Sequence, residues 1–164
     1  MNLIAAIDAE GGIAKGGRIP WLSEVSDLRH FREQTRGAVC IMGRSTAAGI
    51  ADRIEGVDGR RVLVLTTRVW RGPGVRCTSR DPNEIADAAR DLAGDAPIYV
   101  CGGAQTYALM MPVVTRALIT RIPWSYGCNL HLPSLAGLRV SSTRVVRSDN
   151  GSHGLTCYEY RRNG

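Results

Sequence analysis

One carboxylate in this 164-residue chain stands where it could handle a proton. Asp27 lies in Trp21-Leu22-Ser23-Glu24-Val25-Ser26-Asp27-Leu28-Arg29-His30-Phe31. On a helix, Leu28 and Phe31 share a face, and Asp27 lies close to Phe31, four residues on. The carboxylate therefore falls beside the chain's one phenylalanine. An apolar wall raises a carboxyl pKa and fits the group for proton chemistry. Such a group also accepts two parallel hydrogen bonds from an amidine-like ring edge. Spacing alone favours a plainer reading, a first-turn aspartate stabilised by the helix dipole.

A second set of residues suits phosphate. Met42-Gly43-Arg44-Ser45-Thr46 follows a strand-like run, and Leu65-Thr66-Thr67-Arg68 ends another. Arginine with hydroxyls at a helix start binds anions well. Two such places suggest a ligand with more than one phosphate, although each alone is equally a capped turn. Cys101-Gly102-Gly103-Ala104 also follows a strand-like run. Glycine there lets a backbone approach a phosphate, but a glycine pair alone is more often a turn. Gly11-Gly12-Ile13-Ala14-Lys15-Gly16-Gly17 is a mobile stretch ahead of Pro20-Trp21, placed where ligands sit in α/β sheets.

The elements that must carry these residues alternate. Short β-branched runs at Asn2–Ile7, Val39–Met42, Arg61–Leu65, Ile98–Cys101 and Arg116–Ile122 read as strands buried on both faces. Helix-like stretches lie between them. Ser26–Gln34 has Ser26 as a cap, Pro82–Leu92 has Asp81 as cap and Pro82 first, and Thr106–Met110 follows the glycine pair. This predicts an α/β layer structure, one domain over residues 1–164, with a central, mostly parallel sheet. Arg139–Ser148 and Thr156–Arg161 predict an antiparallel C-terminal hairpin turning at Asp149-Asn150-Gly151-Ser152.

Composition excludes several classes. Hydrophobic residues are 44% and charged residues 22%, as in ordinary globular chains. No apolar run reaches the ~18 residues of a membrane span. The net charge is +6, and Lys15 is the only lysine. The arginines are scattered, which fits a small anionic ligand and gives no support to a nucleic-acid face. Five cysteines without a C-x-x-C, and three isolated histidines, indicate neither a disulfide framework nor a metal site. Met1-Asn2-Leu3-Ile4 lacks the start of a signal peptide, so a cytoplasmic protein is expected.

Taken in order, these pieces resemble dihydrofolate reductase of the common chromosomal type. The matching pieces are Leu3-Ile4-Ala5-Ala6, the glycine-rich loop to Pro20-Trp21, Asp27-Leu28 with Phe31, and Ile41–Thr46. They continue through Gly59-Arg60-Arg61, Leu65–Thr67, Val100–Tyr107, Leu118-Ile119-Thr120, Asn129–Pro133 and Cys157–Tyr160. The resemblance covers essentially the whole chain. It implies eight strands flanked by four helices, and reduction of dihydrofolate with NADPH. It makes Asp27 the acid that binds the pterin and promotes protonation at N5. Thr120 would support that acid, and Trp21 would hold an ordered water. Ile4, Ala5, Ala6, Leu28, Phe31, Ile50, Cys101 and Tyr107 would contact the substrate, and Arg60 (or Arg61) would grip its glutamate carboxylate. Cofactor contacts would come from Ala6, Ile13, Ala14, Ile19, Gly43, Arg44, Ser45, Thr46, Leu65, Thr66 and Thr67. The same holds for Arg68, Arg80, Cys101, Gly102, Gly103, Ala104, Gln105 and Thr106. The Gly102-Gly103 peptide would be cis. No metal is implied, and a monomer is expected.

The chain also departs from the family pattern. One extra residue between Trp21 and Asp27 keeps Glu24 as a second candidate acid. Ala47-Ala48 replaces bulkier residues, and Glu55–Asp58 lengthens a loop. Cys128-Asn129 stands where relatives often show Gly-Asp, which removes a charge that helps hold the mobile loop closed. Cys101 and Ala47 would alter the pocket walls, so diaminopyrimidine antifolates are expected to bind less tightly. Two other readings are a same-fold reductase of a ribosylamino-pyrimidine and a non-catalytic binding protein that kept the fold.

Overall fold

The structure is a computed structural model, and it describes residues 1–146 and 154–162. Ten strands form: β1 (Asn2–Ile7), β2 (Gly12–Ala14), β3 (Val39–Gly43), β4 (Arg61–Leu65), β5 (Val75–Cys77), β6 (Ile98–Val100), β7 (Arg116–Arg121), β8 (Leu130–His131), β9 (Leu138–Val146) and β10 (Leu155–Arg162). The α-helices are α1 (Val25–Gln34), α2 (Arg44–Ile50), α3 (Pro82–Ala93) and α4 (Ala104–Met110). Eight strands make one sheet in the order β5-β4-β3-β6-β1-β7-β10-β9, and β2 pairs with β8. The expected α/β architecture, with four α-helices among the described residues, is therefore present.

The chain divides into two compact units. The first holds Met1–Leu3 and Thr35–Val114. Its strands are parallel, with β3 between β4 and β6, β5 beyond β4, and the start of β1 on β6. Parallel strands lie between covering helices, which explains their unbroken apolar runs. Val39–Met42 and Val62–Val64 are all buried. α3 begins as expected: Asp81 accepts hydrogen bonds from the Asn83 and Glu84 amides, and Pro82 opens the helix. Its buried side chains are Ile85, Ala86, Ala89 and Ala93, a stripe at helical spacing that packs on β3, β4 and β6.

The second unit holds Ile4–Gln34 and Thr115–Gly164. Here β10 is antiparallel to both β7 and β9. Residues 149–152, the expected hairpin turn, lie outside the described residues. β9 is an edge strand and is exposed along most of its length.

Several expectations shift. Ser26 is not a cap: the helix starts at Val25, and Ser26 is buried within its first turn. The Cys101 and Ile122 ends of two predicted strands fall outside β6 and β7. β5 and the β2/β8 pair had no signal, because each strand is three residues or fewer. No helix among the described residues is long and apolar enough to cross a membrane.

Ile85→Ala empties a fully buried position and is expected to cost about 2–5 kcal/mol in urea unfolding. Val69→Ala, at a position that is 69% exposed, should stay within about 0.5 kcal/mol.

Candidate active site

In the second unit, the first turn of α1 carries Asp27 half-buried. The Thr120 hydroxyl on β7 donates to its carboxylate. Burial raises the Asp27 pKa to about 6, against the lowering effect of that bond, and the nearby Glu24 charge pushes in the same direction as burial. Glu24 precedes the helix, and its backbone carbonyl accepts from the Leu28 amide at 3.3 Å. The two candidate acids are thus distinct in setting: Asp27 holds the hydroxyl partner. Leu28, 39% exposed, and Phe31, half-buried, lie on the same helix.

Trp21 is buried against Ile122 and Leu155. The Tyr126 ring lies 5.4 Å away at 57°. Its indole N–H has no protein acceptor among the described residues. A buried donor left without a partner costs free energy, so this one is suited to a bound water or ligand. Ile4 and Ala5 are buried on β1, while Ala6 is half-buried.

The loop after β1 is anchored by a residue that the sequence reading missed. Asp8 is fully buried and accepts from the amides of Gly12 (2.7 Å), Glu10 (2.9 Å) and Tyr126 (3.2 Å). Burial raises its pKa, but those bonds outweigh the burial and leave it lowered. Its only signal was an acid directly after a strand and before glycines. Beyond it, Asn129 Oδ1 accepts from the Gly16 amide at 3.0 Å. The neutral asparagine thus holds the loop by a hydrogen bond. Ile13 is buried, Ala14 half-buried and Ile19 exposed along this segment.

The first unit carries the glycine-rich cradle. The Gly102-Gly103 peptide is cis, as the resemblance implied. Gly43 N–H donates to Gly102 O at 2.8 Å, which ties the ends of β3 and β6. A Cβ on Gly43 would come within 2.7 Å of Thr106 Oγ1, and one on Gly103 within 3.3 Å of Thr46 Oγ1. Gly102, at φ +108°, leaves no room beside the Tyr107 ring. Bare backbone and two hydroxyls therefore converge where α2 and α4 begin. Arg44, Ser45 and Gln105 are exposed here, while Ala104 and Cys101 are half-buried. Thr66 accepts from the Arg68 amide through Oγ1 at 3.1 Å, and Leu65 is half-buried before it. Thr67, Arg68 and Arg80 are exposed.

Arg60 is 2% exposed. Its Nε donates to Thr35 Oγ1 at 2.8 Å, and Nη1 to Val57 O and to Asp58. Arg61 is exposed instead and donates to Ala93 O, at the end of α3. Ile50 is half-buried at the end of α2. Ala47, expected to alter a pocket wall, is 2% exposed and belongs to the core. No group of three metal-ligating side chains exists among the described residues.

The family model described as dihydrofolate reductase matches residues 1–162. A dihydrofolate reductase of Mycobacterium tuberculosis is 32% identical over 139 residues, which cover 84% of this chain and 76% of the relative. A dihydrofolate reductase type 8 of Escherichia coli is 32% identical over 132 residues, covering 77% and 76%. A solved dihydrofolate reductase from Enterococcus faecalis, complexed with NADP(H) and RAB-propyl, superposes with a TM-score of 0.82 at 21% identity, over 99% of this chain and 96% of that one. With that match over nearly its full length, the chain belongs to the dihydrofolate reductase family.

Proposed function

We propose that this chain reduces 7,8-dihydrofolate to 5,6,7,8-tetrahydrofolate with NADPH, and that Asp27 is the catalytic acid. The observation that carries the assignment is a half-buried carboxylate with a pKa raised to about 6, held by Thr120. The ionised group accepts from the pterin's 2-amino group and N3–H as a bidentate partner. Its raised pKa keeps a proton available near neutrality and favours protonation at N5. Trp21, with its buried N–H, holds a water beside that acid. Ile4, Ala5, Ala6, Leu28 and Phe31 give the pterin an apolar wall. A 2,4-diaminopyrimidine antifolate would present the same ring edge to Asp27.

In the other unit, Arg60 offers a guanidinium fixed by Thr35, Val57 and Asp58 to the substrate's terminal carboxylate. Ile50, Cys101 and Tyr107 supply apolar contact. The residues around Gly43 and Gly102-Gly103 fit a dinucleotide phosphate, because a Cβ would fill that cradle. Thr46 and Thr106 donate hydroxyls there, and Arg44, Arg68 and Arg80 provide charge. When bound, NADPH supplies the hydride that reaches C6 of the pterin. Ile13, Ala14 and Ile19 belong to the loop that excludes water from the reaction. The protein acts as a monomer on small molecules in the cytoplasm. Its scattered arginines, several of them tied in ion pairs, favour neither nucleic acid nor a purely structural role.

The direct test follows loss of reduced-nicotinamide absorbance with NADPH and dihydrofolate. Wild type should turn over, and Asp27→Asn should lose about 100-fold or more at pH 7, with partial recovery near pH 5. Full activity in that variant would instead assign the role to Glu24. The same variant should change stability. Asp27 has a folded pKa of about 6 against 3.8 when unfolded, so its ionisation opposes folding above pH 6 and not below 3.8. Asp27→Asn is therefore expected to gain up to about 3 kcal/mol in urea unfolding at pH 7 and almost nothing below pH 3.8. Asn129→Ala removes the acceptor for Gly16 and should lower kcat severalfold in steady-state assays while leaving folding stability nearly unchanged.

A further inference from the structure

Two of the free cysteines meet in the first unit. Cys40 is fully buried on β3, and Cys101 is half-buried directly after β6. The two strands are parallel, with Cys40 opposite Tyr99 and Ile41 opposite Val100. The Cys101 amide extends that ladder by donating to Ile41 O at 2.9 Å. Side chains alternate along a strand, so Cys101 shares the face of Tyr99, and therefore of Cys40. The two thiols hydrogen-bond each other, and Cys101 Sγ also lies 3.5 Å from Tyr99 O. Arg60 belongs to the same face: Val62 on β4 stands opposite Cys40, and Arg60 precedes Val62 by two. Sequence spacing hid this pair, because the strands that join it lie far apart along the chain.

The placement selects what the pair can hold. Diagonal neighbours across strands stand roughly 7–8 Å apart, whereas a disulfide favours about 4.4–6.8 Å between Cα atoms. A bridging ion spans the wider gap, because it adds a bond to each sulfur. No third histidine, cysteine, aspartate or glutamate joins the pair among the described residues. Zinc takes four such ligands, and calcium and magnesium require oxygen donors. Two thiolates alone suit a soft ion of low coordination number. We propose that Cys40 and Cys101 bind a monovalent thiophilic ion, copper(I), as a two-coordinate dithiolate. Binding breaks two S–H bonds, forms two copper–sulfur bonds and releases two protons to solvent. No electron is transferred.

Charge and access agree with this assignment. Two thiolates and one monovalent ion keep a single negative charge, which is costly in a core without a counter-charge. Arg60, 2% exposed, supplies one, and its charge favours the Cys101 thiolate. Its ion-pair partner Asp58 is 44% exposed, so water screens that carboxylate. Burial, and then Cys40, hold the Cys101 pKa well above the usual thiol value, so the incoming ion displaces protons. Half-buried Cys101 gives the ion its way in. The competing donor pair is Cys157 with His30, whose Nε2 lies 3.4 Å from the sulfur. There one thiolate and a neutral imidazole already balance a monovalent ion. Arg144, 3.0 Å from that ring, adds a positive charge with no counterpart.

The test titrates reduced wild-type protein with copper(I) in the absence of oxygen, against bicinchoninate as a coloured competing chelator. Wild type should draw one equivalent from the chelator. Cys101→Ala changes a half-buried position, and Cys40→Val keeps the core filled; each should weaken capture by about 100-fold or more. Circular dichroism confirms that each variant is folded. Cys77→Ala, Cys128→Ala and Cys157→Ala should capture the equivalent as wild type does. X-ray absorption of the one-equivalent complex should show two sulfur neighbours and no nitrogen. Four results would each overturn the site: no capture by wild type, capture retained in folded Cys101→Ala, a nitrogen neighbour on the copper, or a copper-bridged dimer in size-exclusion chromatography. None of these readouts uses NADPH or dihydrofolate, so the outcome stands apart from the proposed reaction.

Discussion

Taking a carboxylate partly out of water while leaving it able to ionise is the constraint on which this protein's second unit is organised. A lone buried carboxylate would stay protonated through neutral pH. Exposed, it would be fully ionised and a poor source of protons. Asp27 lies between these limits because Thr120 supplies a hydroxyl while burial keeps water sparse. Each partner has a structural origin. Asp27 occupies the first turn of α1, and Thr120 lies on β7 with Cys157 of β10 paired opposite. The strand register is therefore part of the acid's electrostatics: a slip of one residue would turn Thr120 to the other face.

The first unit meets a different requirement, the close approach of bare backbone to side-chain hydroxyls. Gly43 and Gly103 lie so near Thr106 and Thr46 that any side chain would displace those hydroxyls. The cradle is made as much by missing atoms as by present ones. Arg60 shows the same economy with charge. A buried guanidinium needs partners for its donors, and Thr35, Val57 and Asp58 take those of Nε and Nη1. Asp8 follows the same rule in the other unit, accepting three backbone amides at the base of the loop after β1.

Much of this was readable in the sequence. β-branched runs marked the parallel strands, and Asp81-Pro82 marked the start of α3, because those signals are local. Asp27 stood out by its spacing to Phe31, yet its role came from the ordered resemblance rather than from spacing. Other features depend on partners far along the chain. His30 looked like an isolated histidine because Arg144 and Cys157 are more than a hundred residues away. Asp8 gave only a faint signal because its partners are backbone amides, which no side-chain pattern announces. Ser26 misled because serine favours caps, whereas here it is buried inside the first turn.

The central claim is that Asp27 ionises near neutrality in the folded protein. Titration of its side-chain carboxyl by 13C NMR, in free wild-type protein, measures this without any assumption about turnover. The account predicts a single midpoint near pH 6. A midpoint near 4, the ordinary aspartate value, would mean that the carboxylate is solvated and that the acid must be sought elsewhere.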